Sequence, residues 1–111
     1  MADPIVEWAG AEVLKYLVDH DFEGLARFTS GKRLSGSEIE DAVRQYGRTI
    51  VFPPPSVAYL DSIPIENAQP PAWSVTMELY TLEEGRSDLS VELTVRQFNP
   101  PLVELNNIHV L

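Results

Sequence analysis

Three consecutive prolines, Pro53-Pro54-Pro55, divide this 111-residue chain into two parts that fold by different rules. Each ring fixes φ and removes a backbone donor, so the triplet can neither prolong a helix nor lie inside a central strand. Before it, apolar residues recur every three or four positions. Ile5, Trp8, Ala9, Val13, Tyr16 and Leu17 form one helical stripe over residues 4–18, with Asp3 placed to cap it and Pro4 in its first turn. Asp19-His20-Asp21 interrupts that helix, and Asp21 heads a short second one carrying Phe22, Leu25, Ala26 and Phe28, ended by Thr29-Ser30-Gly31. Ser35-Gly36-Ser37-Glu38 has the form of a capping box. The stripe behind it, Ile39, Ala42, Val43 and Tyr46, stops at Gly47, a residue suited to a left-handed cap.

After the prolines the period is two. Trp73, Val75, Met77, Leu79 and Thr81 alternate with Ser74, Thr76, Glu78, Tyr80 and Leu82; Leu89, Val91, Leu93 and Val95 alternate with Ser90, Glu92, Thr94 and Arg96. Such runs are strands with one wet face. Residues 83–88, with Gly85 inside, join them as a hairpin. A third strand over 102–110 changes parity partway: Val103 and Leu105 share one face, Ile108 and Val110 the other. A bulge near Asn106-Asn107 restores a single buried face. Residues 57–65 read as a weaker strand, at an edge because of Pro64. The expected fold is α+β in a single domain over 1–111, three N-terminal helices packed on one face of a curved antiparallel sheet of about four strands. At 12.4 kDa, roughly two thirds of the unfolded surface is removed from water on folding, enough for a core without disulfides or metal.

Charge narrows the function classes. Segments 1–23, 24–50 and 51–111 carry −5, +2 and −6, which account for the net −9. So acidic a chain repels phosphate backbones and anionic membranes, so nucleic acid and membrane are excluded as expected partners. It can steer a basic partner, or simply keep the protein soluble. Zero cysteines rule out disulfides, thiolate metal sites and a cysteine nucleophile, and fit a reducing cytoplasm. Residues 1–4 have no basic leader, and Glu7, Glu12 and Lys15 interrupt the apolar run that follows, which argues against a signal peptide or a membrane span.

No catalytic motif emerges. His20 and His109 have no ligand-spaced partner, and no phosphate-binding loop or nucleophile elbow is present, so neither metal nor cofactor is expected and no catalytic residue is assigned. The densest run of functional groups is Glu83-Glu84-Gly85-Arg86-Ser87-Asp88. Arg86 and Asp88, two apart, point the same way in extended backbone and would hold a partner's carboxylate or backbone; the competing reading is turn chemistry around Gly85. Trp73 and Tyr80 either wall a pocket between sheet and helices or pack as core. The candidate ligand- or partner-binding residues are therefore Trp73, Tyr80, Arg86 and Asp88. Lys32, Arg33, Arg44 and Arg48 make the one basic region.

The run Leu17-Val18-Asp19-His20-Asp21-Phe22-Glu23-Gly24-Leu25-Ala26 resembles the junction of the first two helices in nuclear transport factor 2-like, cone-shaped (cystatin-like) α+β domains. Tyr46-Gly47-Arg48-Thr49, Trp73-Ser74-Val75, Glu84 to Leu89 and His109-Val110-Leu111 resemble an uncharacterised family of small acidic bacterial proteins. The second resemblance implies no activity, and neither carries an active site onto this chain. The leading expectation is a non-enzymatic binding module acting on a protein partner, with an immunity protein that neutralises a basic toxin as a specific form. The alternative is a small-molecule-binding or enzymatic cone, open beside Trp73, Met77 and Tyr80. A homodimer through the uncovered sheet face is a third expectation.

Overall fold

A computed structural model describes residues 3–30, 33–55 and 57–110. Helix α1 spans Pro4–Val18, and the Asp3 carboxylate accepts from the Ile5 N–H at 3.0 Å. It ends where His20 turns left-handed, φ 58°. The Asp21 N–H reaches the Tyr16 carbonyl and the His20 N–H reaches that of Leu17, so the break at Asp19-His20-Asp21 closes the helix rather than merely interrupting it. Asp21 then caps α2, Phe22–Phe28, by accepting from the Gly24 N–H at 3.0 Å. Both halves of the capping box form at α3, Gly36–Tyr46: the Ser35 hydroxyl accepts from the Glu38 N–H and the Glu38 carboxylate from the Ser35 N–H. Gly47 terminates it at φ 73°, a conformation a Cβ would strain.

The strands are β1 (Ile50–Val51), β2 (Leu60–Pro64), β3 (Ala72–Thr81), β4 (Gly85–Arg96) and β5 (Leu102–Val110), all antiparallel to their neighbours. β3, β4 and β5 form a meander, while β1 and β2 share the free flank of β3, opposite its two ends. The edge position of the Pro64 strand is confirmed, and β1 is an addition to the strands legible in the sequence. Its two residues are too few to show a period.

The parity change in β5 has the anticipated cause. Leu93 pairs with Leu105 and Glu92 with Asn107, so Asn106 is the extra residue, and Val103, Leu105 and Ile108 all reach the buried face. That face meets Val6, Ala9, Val13, Leu17, Leu25, Ile39 and Val43 from the helices, joining Val75, Met77, Leu79, Val91, Leu93 and Val95 in one core. The protein is α+β, with three helices on one face of a curled antiparallel sheet and, among the described residues, no helix on the other.

Candidate interaction face

Alternation along the strands assigns the uncovered face. Opposite the core residues of β3 and β4 stand Ser74, Thr76, Glu78 and Tyr80, then Ser90, Glu92, Thr94 and Arg96, with Glu104, Asn107 and His109 on β5. The side chains meet across strands. Arg86 forks onto Glu78, Nε to Oε2 at 2.8 Å and Nη2 to Oε1 at 3.1 Å. His109 Nε2 lies 3.3 Å from Glu92 Oε2, Asn106 donates to the Thr94 hydroxyl at 2.8 Å, and Arg96 donates to Glu104 at 2.9 Å. Both guanidiniums of the face are thus occupied, while Asp61 on β2 adds a further carboxylate beside Thr76. Ser90, flanked by Glu78 and His109, is wholly buried, and its hydroxyl has no partner among the described residues. Ile63, 64% exposed, shares the face at its β2 edge, with Ile65 and Phe98 also exposed at the same end.

The four candidate residues separate. Tyr80 and Arg86 are cross-strand partners on the outer face. Trp73 lies on the opposite face, seven positions back along β3, half-buried against the core between Pro64 and Val95. Asp88 is parted from Arg86 by an irregularity: between the pairs Glu78–Ser90 and Tyr80–Arg86, Leu79 alone opposes three residues. Ser87 turns inward, donating to the Leu79 carbonyl at 2.8 Å and accepting from the Leu89 N–H at 3.2 Å. The Asp88 N–H faces the Tyr46 hydroxyl at 3.3 Å, so Asp88 sits toward α3 while Arg86 grips Glu78.

The acidic pair of the hairpin fastens elements together. Glu83 accepts from the Thr49 N–H at 2.8 Å and from its hydroxyl at 2.9 Å; the backbone bond, then the hydroxyl, holds the carboxyl below its ordinary value. Glu84 accepts from the Tyr46 hydroxyl at 2.7 Å and from Thr81 at 3.2 Å. That bond to Glu84, more than burial, raises the Tyr46 phenol above its ordinary value. No motif names the bonds to Thr49 and Tyr46, because they join residues more than thirty positions apart. The loop itself is Leu82 to Glu84, shorter than the 83–88 read from the sequence.

A small cleft of about 310 Å³ lies between α3 and the β4–β5 side of the sheet, lined by Ala42, Tyr46, Leu89, Ile108 and Val110, and larger ones lie outside the sheet–helix interior. One of about 480 Å³ opens between the start of α2 and the end of α3, where Arg44 is paired with Glu40 and Arg48 donates to the Gly47 carbonyl. His20, stacked on Phe22, also lines it; Lys32 of the basic region lies outside the described residues. Another of about 550 Å³ lies between α1 and the segment before β2, where burial, then the nearby Glu7, raises the Tyr59 phenol. Trp73, Met77 and Tyr80 line none of the three. Among the described residues no three His, Asp or Glu side chains gather as a metal-ligand set, and no helix is long and apolar enough to cross a membrane.

Fold and face together define a small α+β module whose sheet presents one polar, cross-linked surface. Residues 14–111 match the model of DUF7668, a domain of unknown function, and the chain belongs to that family. The match leaves out the first turns of α1, and no curated protein or solved structure matches the chain.

Proposed function

We propose that this protein is a non-enzymatic binding module whose outer sheet face docks a protein partner. One observation carries the reading: a face free of helices among the described residues, on which each guanidinium already has a carboxylate partner, leaving Asp61 and the exposed Ile63 at one edge. Such a surface offers a partner carboxylates with an apolar anchor and no free guanidinium. The net −9 favours a basic partner, and small size, acidity and the lack of catalytic motifs support the immunity-type form. The small-molecule or enzymatic alternative needs an open interior; Met77 is 0% exposed and Leu79 is sealed with it, which weighs toward the surface reading. The order of helices followed by a curled sheet supports a nuclear transport factor 2-like relationship, and the cysteine-free sequence suits a bacterial cytoplasm.

The test is capture of partners from a native lysate at about 0.05 M and about 0.15 M salt. A basic protein retained at the lower salt by the parent chain, and lost with the pair Ile63→Arg and Thr76→Arg, is expected. Retention of no basic protein at either salt, or retention indifferent to both substitutions, overturns the reading.

A further inference from the structure

The two edges of the sheet are built differently. On one, β1 is two residues long and β2 ends on Pro64, which has no N–H to offer. Short strands and prolines are devices that keep a sheet edge from pairing with another chain. On the other, β5 runs nine residues with β4 as its only strand neighbour among the described residues. From Leu102 to Val110 it has no Lys, Arg or Pro, and Val110 is 57% exposed.

The order of side chains along β5 indicates what can pair with it. Val103, Leu105 and Ile108 face the helices, Glu104 and His109 face outward, and the bulge sets Asn106 and Asn107 together at the centre. From either end the strand therefore reads apolar, polar, apolar, Asn. Antiparallel pairing with a second copy, about a twofold axis between Asn106 and Asn107, places Leu105 beside Ile108, Glu104 beside His109 and Val103 beside Val110. Every pair then shares a face. The bulge is what permits this: in an unbroken strand, an axis between two residues would set inward side chains against outward ones. Glu104 then lies beside an imidazole whose Nε2 faces Glu92 and whose Nδ1 has no partner among the described residues. The strand carries one carboxylate and no Lys or Arg, so nearly all of the −9 is borne elsewhere.

We propose that a second copy of this chain pairs along β5 in this register, joining two five-stranded sheets into one continuous sheet. The proposal does not depend on the partner of the outer face, which such a dimer presents twice. Strand pairing covers little apolar area, so a dissociation constant of about 1–100 µM is expected. Sedimentation of the full chain from about 1 to 500 µM spans that range and should show the mass rising toward twice 12.4 kDa. Val110→Lys, at an exposed position that leaves the core intact, should weaken the dimer at least about tenfold. Register is read by disulfide trapping, since the chain has no cysteine of its own. An equimolar mixture of Glu104→Cys and His109→Cys should cross-link under mild oxidation. Neither variant alone should, because like positions then lie about 17 Å apart along the strand. A monomer throughout, a dimer indifferent to Val110→Lys, or equal trapping by a single variant each overturns the proposal.

Discussion

Arg86 and Gly85, adjacent in sequence, contribute to the molecule by different physics. Gly85 holds φ 73° with no atom within 4 Å of an added Cβ, so only backbone strain opposes a larger residue there. Gly85→Ala should cost about 1 kcal/mol in urea unfolding. Arg86→Ala, removing an ion pair with both members partly exposed, should cost less than about 0.5 kcal/mol. Equal losses would assign Arg86 a structural weight its geometry does not carry. Glu83 has a pH signature. Its folded carboxyl titrates below its ordinary 4.5, so its stabilisation is complete above that value and is lost as pH falls through the lower, folded one. Glu83→Gln should lower stability at neutral pH and flatten the decline between about pH 5 and about pH 3, followed by urea midpoints. At this scale the sequence pointed to the hairpin as a dense run of functional groups. It did not reveal that Ser87 turns inward and separates Arg86 from Asp88, because that follows from three residues facing Leu79 alone.

Among the elements, β5 carries one residue more than its pairing needs. Deleting Asn106 leaves Leu105 and Ile108 two apart, so strict alternation keeps both in the core in register with β4, and only the Asn106 bond to Thr94 is lost. A variant lacking it should therefore melt close to the parent and keep amide-exchange protection in β4 and β5. A melting point several degrees lower, with protection lost after Leu105, would mean that the bulged backbone itself stabilises the sheet. The helices were legible almost to the residue because capping is local: Asp3, Asp21, Ser35 with Glu38, and Gly47 each act within four positions. β3 and β4 were legible from period two. β1 was not, since two residues show no period and its pairing to Thr81 and Tyr80 is fixed by the Glu83–Thr49 and Leu82–Thr49 bonds that close the hairpin over it.

For the molecule as a whole, charge is the adjustable term. Nine net negative charges on a folded chain of 6494 Å² accessible area repel one another more in the compact state than in the unfolded one. The melting temperature should therefore climb by a few degrees between about 0.01 M and about 0.15 M salt, and a fall on adding salt would show that the surface ion pairs outweigh the repulsion. The amino-acid sequence by itself determined the class of fold, the order of helices before strands, the bulge and the acidity. All of these are set by neighbours a few positions apart or by plain composition. Tertiary structure alone decided which candidate side chains meet. The distance between Trp73 and Tyr80, the Tyr46–Glu84 bond and the twofold pattern of β5 all depend on which face each strand turns to the helices, and that is settled only when remote segments compete for the same core.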